Sequence, residues 1–179
     1  MKNISSRTFL SDLFQELDCL LEDKIEIYVI GGANLMAQGI NNRTTMDIDV
    51  IFPETFSSTL KGMIVQIAKQ KGLDEKWMNT GPSRDAKYLN DGWIERSTLF
   101  FDGNHLKVWM VHREDMICLK LTAALDRQIP DQADLLMMKP SDSEWEVARL
   151  WAREYDGNPS WSKLIDELVI ELKEKLSDA

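Results

Sequence analysis

The sequence predicts an α/β protein of the α+β kind: a small mixed sheet flanked by helices, then a helical C-terminal third. Three observations carry this. Two short runs rich in β-branched residues, 25–30 and 46–52, are separated by a helical stretch. A hairpin signature, Asp102-Gly103-Asn104, joins two further strand-like runs. From residue 113 onward every periodic segment repeats at helical spacing.

The elements follow in order. Over 5–23 the chain reads as a helix, with Ser5 or Ser6 as cap and Phe9, Leu13, Leu17, Leu20 and Leu21 at spacings of three and four. Residues 25–30 form a strand stopped by Gly31-Gly32, and 33–38 a short helical stretch ended by Gly39. A second strand covers 46–52 and is closed by Pro53. Ser57 or Ser58 caps a helix to Lys71, terminated by Gly72. Between 77 and 92, Gly81-Pro82-Ser83 and Asn90-Asp91-Gly92 are turn chemistry, so a long loop is expected. Strands at 96–101 and 106–111 precede helices at 113–127, 131–138, 142–155 and 160–176. The division expected from this is a domain over 1–140 and an acidic helical extension over 141–179 packed on it.

The chain has 179 residues, with 21 Lys and Arg against 30 Asp and Glu, a formal charge of −9. Ten acidic and five basic residues fall in 141–179, a net of −5, so the body is close to balanced. No basic footprint of a free-standing DNA binder appears, which argues against non-specific nucleic-acid binding. Cys19 and Cys118 make neither a disulfide framework nor a zinc site. No apolar run approaches the ~20 residues that span a bilayer, and the first residues lack the apolar block of a secretory leader. A cytoplasmic protein is the expectation.

The stretch that carries chemistry runs from Tyr28 to Phe52. A strand enters two glycines and then a helix, which offers unhindered backbone amides as a phosphate cradle. The next strand carries Asp47 and Asp49 at i and i+2, so both carboxylates project from one face. Like charges so placed call for a cation between them. Hard oxygen ligands at that spacing suit Mg²⁺, which draws its remaining ligands from phosphates and water. The glycines fit neither a dinucleotide fingerprint nor a P-loop. A solvated edge strand is the plain alternative for the two acids, and a simple turn for the glycines.

The combination strand, Gly-Gly, short helix, Arg43, and Asp47-Ile48-Asp49 resembles the nucleotidyltransferase-fold superfamily. More narrowly, VIGGANLMAQGINNRTTMDIDVIF is similar to the small prokaryotic proteins grouped around the abortive-infection toxin nucleotidyltransferases. Lys120-Leu121-Thr122-Ala123, Arg127 and Asp131-Gln132-Ala133-Asp134-Leu135 match the downstream part of that pattern. The resemblance covers about residues 25–52 and 113–136.

It implies that Gly31, Gly32 and Arg43 bind the nucleotide, that Asp47 and Asp49 ligate Mg²⁺ (or Mn²⁺), and that Lys120 contacts phosphate while Asp131 orients groups at the site. Otherwise Lys120 snorkels to solvent, Arg127 caps a helix C-terminus and Asp131 is a helix N-terminal residue. The implied reaction moves a nucleoside monophosphate from NTP to an acceptor hydroxyl: a tRNA end, a protein or a small molecule. A cognate antitoxin or a second copy of the chain is the implied protein partner.

Members of the superfamily usually carry a third carboxylate on a neighbouring strand. The run 106–111 contains no acid. Asp102 is the nearest substitute for that catalytic role and Glu95 a poorer one. His105 and His112 flank the run, as general base or as ordinary turn residues. The absent acid leaves open a weak or inactive relative that serves as a nucleotide-binding or protein-partner module. The tryptophans 145, 151 and 161, among acidic neighbours, suit core packing or a partner face better than base stacking.

Overall fold

The computed structural model describes residues 2–41, 43–127, 129–156 and 158–178, apart from the side chains of Lys87, Tyr88, Asp126 and Arg127. Arg127, expected as a motif or capping residue, therefore falls outside the described side chains. The chain divides into two compact units, Met1–His112 and Arg113–Ala179. The helix of residues 113–127 packs with the helices that follow it, which places it in the second unit.

In the first unit α1 (Arg7–Leu20) is capped by Ser6, whose hydroxyl accepts from Phe9 N–H. Then come β1 (Ile25–Ile30), α2 (Gly31–Ala37), β2 (Ile48–Phe52) and α3 (Ser58–Lys71). Ser57 caps α3, and Gly72 ends it in the left-handed region at φ 72°. The expected long loop is instead ordered. It holds a two-residue strand, β3 (Met78–Asn79), a 3₁₀ helix (Gly81–Tyr88) and α4 (Trp93–Arg96). Strands β4 (Thr98–Asp102) and β5 (Leu106–Met110) close the unit.

The sheet order is β3-β2-β1-β5-β4. Strand β1 runs antiparallel to β2 and parallel to β5; β3 is parallel to β2, and β4 antiparallel to β5. Alternation decides the faces. Ile27, Val29, Ile48, Val50, Leu106, Val108 and Met110 meet Leu13, Phe14 and Leu17 of α1 and Leu60, Ile64 and Ile67 of α3 in one core. The opposite face carries Tyr28, Asp49 and Trp109. There the Tyr28 ring stacks on Trp109 (11° between planes) and takes Trp93 of α4 edge-on at 5.3 Å. The segment read as loop is thus held by Trp93 above the sheet and by Trp77 below it. Trp77 is fully buried, and its indole N–H donates to Ile64 O.

The second unit comprises α5 (Arg113–Arg127), α6 (Ile129–Met138), α7 (Asp142–Tyr155) and α8 (Pro159–Ser177). A capping box of Ser141 and Glu144 starts α7. Glu144 also binds Arg113 at 2.7 Å, and Arg113 in turn donates to Met138 O at the end of α6. Burial would raise the Glu144 carboxyl, but the Arg113 guanidinium and the Ser141 donors outweigh it and hold the group below its usual range. Trp145 is buried in the packing of α7, while Trp161 donates its indole N–H to Ala152 O. No helix among the described residues is long and apolar enough to cross a membrane.

Candidate functional site

Strand β1 passes into α2 without an intervening turn. Ile30 is extended, and Gly31 takes φ +72°, a conformation that L side chains rarely adopt. Crowding adds to this: a β-carbon on Gly31 would stand 2.8 Å from Asp49 Oδ2. Register explains the approach, since Ile30 pairs with Asp49 across the β1–β2 ladder. The second glycine differs. Gly32 is not in the positive-φ region, and a β-carbon there would meet the Thr45 side chain at 3.2 Å. At seven residues α2 is short, so close approach of the backbone, more than a helix dipole, is what this junction offers.

Asn34 and Gln38 lock the junction from behind. Asn34, fully buried, donates to Val29 O at 2.7 Å and Val111 O at 3.0 Å; Gln38 donates to Val111 O and to Asn34 Oδ1. The ends of β1 and β5 are thereby tied to α2.

Asp47 does not lie in a strand, as its spacing suggests, but immediately before β2. Thr45 fixes this approach. Its backbone bridges Ile4 in both directions (2.8 and 3.0 Å), and its hydroxyl donates to Asp47 O at 3.1 Å. Asp47 and Asp49 are both half-buried. Arg43 is exposed, its backbone N–H held by Asn41 Oδ1.

Asp49 has a partner that sequence reasoning missed. Asn79 lies beside it in the β2–β3 register and donates from Nδ2 to Asp49 Oδ1 at 3.2 Å. The signal was there only in part: Gly81 marks a turn, but nothing local announces that Met78-Asn79 pairs with β2.

The sheet does not bring Asp102 to this place. Asp49 sits opposite Ile30, at the end of β1, whereas Asp102 pairs with Lys107, which pairs with Glu26 near its start. Four residues along the strand and three strand spacings across separate them, roughly 20 Å. Asp102 instead lies 3.7 Å from Lys107 in an exposed pair. His105 shares that far end, while His112 follows β5 at the end that carries Gly31. On β5 the residues on Asp49's face of the sheet are Lys107 and Trp109, and Trp109 donates to Glu26 at 3.0 Å. Glu95 is exposed on α4, and with Glu26 it bears on Tyr28: burial first, then these two charges, raise the phenol above its usual range. Among the described residues no group of three His, Cys, Asp or Glu is placed to hold a metal.

In the second unit Lys120 does not reach solvent. Its ammonium is buried between Asp131 Oδ1 at 2.6 Å and Asp134 Oδ2 at 2.8 Å, joining α5 to the first turns of α6. Asp134, quoted in the motif but given no role, is fully buried.

The donor set fits a small divalent cation. Asp49 offers a hard oxygen directly over a glycine, where backbone and ligand can approach closely, and Asp47 is two residues away. No curated protein matches the chain, and no solved structure does. Residues 8–159 match the family described as nucleotidyltransferase of unknown function (DUF6036), and the chain belongs to that family.

Proposed function

We propose that the protein transfers a nucleoside monophosphate from an NTP to an acceptor hydroxyl, with Mg²⁺ (or Mn²⁺) held by Asp47 and Asp49. The observation that carries this is that Asp49 Oδ2 lies 2.8 Å from where a β-carbon on Gly31 would stand. In this reading the oxygen that would ligate the metal lies against a backbone that has no side chain to keep phosphates away. Family membership supports the reaction class.

In this reading the acceptor oxygen forms a bond to the α-phosphorus, the bond from that phosphorus to pyrophosphate breaks, and the hydroxyl proton leaves to a base or to water. Bound Mg²⁺ supplies charge neutralisation at the reacting phosphate. Gly31 and Gly32 let the triphosphate approach the chain, and Asn34 keeps their junction rigid. Arg43, exposed four residues before Asp47, is the phosphate contact that the resemblance implies. Lys120 is buried between two carboxylates, so in this reading its ammonium acts first as the support of α5 and α6.

The resemblance extends the reading to a toxin-type enzyme with a cognate antitoxin and a tRNA end, protein or small molecule as acceptor. One observation favours a second reading, a catalytically weak nucleotide-binding module: on Asp49's face of the sheet β5 carries Lys107 and Trp109, and no acid. A transfer screen with the four labelled NTPs separates the two. Transfer that disappears in Asp49→Asn supports the enzyme, and Mg²⁺-nucleotide binding without transfer to any acceptor supports the module.

A further inference from the structure

Asn79 touches Asp49 and nothing in the family pattern calls for it. Its amide can be oriented in only one way. Gly81 N–H donates to Oδ1 at 2.8 Å and can do nothing but donate, while a carboxylate can do nothing but accept. Nδ2 therefore faces Asp49 Oδ1. Room for this is made by Gly81, where a β-carbon would stand 2.9 Å from Asn79 Oδ1. The two oxygens of Asp49 are thus distinguished: Oδ1 is engaged by an amide donor from β3, and Oδ2 lies over Gly31.

We infer that Asn79 is a positioning residue that makes Asp49 a one-oxygen ligand and so sets the site's preference for Mg²⁺ over Ca²⁺. This rests on the metal reading of Asp49. Mg²⁺ demands near-octahedral geometry at about 2.0–2.1 Å and takes single carboxylate oxygens, whereas Ca²⁺ accepts longer bonds, more ligands and bidentate carboxylates. A carboxylate whose second oxygen is tied to Asn79 serves the first ion and resists the bidentate grip of the second. Outer-shell hydrogen bonds to metal ligands of this kind typically matter by 10–100-fold in affinity.

The experiment is calorimetric titration with each of the four α,β-methylene nucleoside triphosphates, in Mg²⁺ and in Ca²⁺, on the full chain. The proteins compared are wild type, Asn79→Ala, Asn79→Asp and Asp49→Asn, with thermal unfolding to confirm that each is folded. The wild type should bind more tightly with Mg²⁺. Asn79→Ala should shrink the Mg²⁺:Ca²⁺ affinity ratio by about 10-fold, by removing the amide donor from Oδ1. Asn79→Asp keeps the acceptor for Gly81 but replaces the donor with a further anionic oxygen, so its ratio should fall through a gain in Ca²⁺ binding. Equal weakening with both ions in a folded Asn79→Ala protein, the ratio intact, would show a merely structural role and overturn the inference. A wild type that binds no metal–nucleotide, or an Asp49→Asn variant that binds like wild type, overturns the metal reading itself.

Discussion

Asp49 Oδ2 occupies the space in front of Gly31 that any other residue's side chain would need. Gly31→Ala therefore meets two penalties, a left-handed backbone costing about 1–2 kcal/mol and a clash with a carboxylate anchored in a strand. Gly32→Ala meets only the Thr45 side chain, at a distance that a few tenths of an ångström relieves. Gly31→Ala should lower thermal stability and abolish Mg²⁺-nucleotide binding in the molecules that fold, while Gly32→Ala keeps most of both. Melting curves paired with titration calorimetry check this. Equal tolerance at the two glycines would mean that the close approach has no bearing on ligand binding.

Much of this arrangement is legible in the chain. The run of β-branched residues before Gly31-Gly32 and the two acids after it give strand, junction and strand in the right order, because period and turn chemistry are local properties. What is not local was not legible. Strand β3 has two residues and no period to detect, so Asn79 could be found only once β2 was seen to pair with it. The hairpin around Asp102 was read correctly, yet its value as a site depends on β5 running parallel to β1, which puts Asp102 at the wrong end. Which of the two glycines takes positive φ is decided by the ladder to Asp49. Lys120 reads locally as a phosphate contact or a snorkelling side chain, because its carboxylate partners lie on the next helix.

The correction at Asp102 has a direct consequence. With an exposed partner in Lys107 and a place far along the sheet from Asp49, Asp102→Asn should leave both nucleotide affinity and transfer rate within about two-fold of wild type, well short of the ~10²-fold expected for loss of a general base. The same substitution should change stability by less than about 1 kcal/mol, the range of exposed ion pairs. A hundred-fold fall in transfer at unchanged affinity would return Asp102 to the chemistry.

At that far end Asp18 makes a separate pH-dependent contribution. Its carboxylate, buried at the end of α1, accepts backbone N–H groups from Asn104, His105 and Leu106, and a β-carbon on Gly103 would collide with it. Burial alone would raise its pKa, but the three backbone donors, with the His105 charge, outweigh burial and lower it. A folded-state value below the unfolded one means stability fully present above about pH 4 and lost as pH falls through the folded value. Asp18→Asn should cost of order 2 kcal/mol at neutral pH, the scale of hydrogen bonds to a charged group. The gap between variant and wild type should close as the pH is lowered from 5 toward 2. Denaturant unfolding at a series of pH values measures it, and a gap constant across that range would refute the assignment.

Lys120 and its two carboxylates pose the last question, whether the ammonium serves the packing of α5 and α6 or a phosphate. Removing one member of a buried ion group leaves uncompensated charge, at about 3–5 kcal/mol, whereas replacing the whole group by apolar residues of similar size is often neutral or stabilising. Lys120→Met should accordingly destabilise the chain strongly, by removing the ammonium from between Asp131 and Asp134. The triple variant Lys120→Met, Asp131→Leu, Asp134→Leu should recover most of that loss. The triple variant is the informative protein, because it should fold and lacks the ammonium. If Lys120 is only a support, it binds Mg²⁺-nucleotide as the wild type does; if the ammonium also meets phosphate, it regains stability but binds at least ten-fold more weakly. Because Asp131 leaves with Lys120 in that variant, Lys120→Met with Asp131→Asn and Asp134→Leu serves as the control that keeps a polar group at 131. The two variants binding alike, and both weakly, would assign the phosphate contact to Lys120 rather than to Asp131.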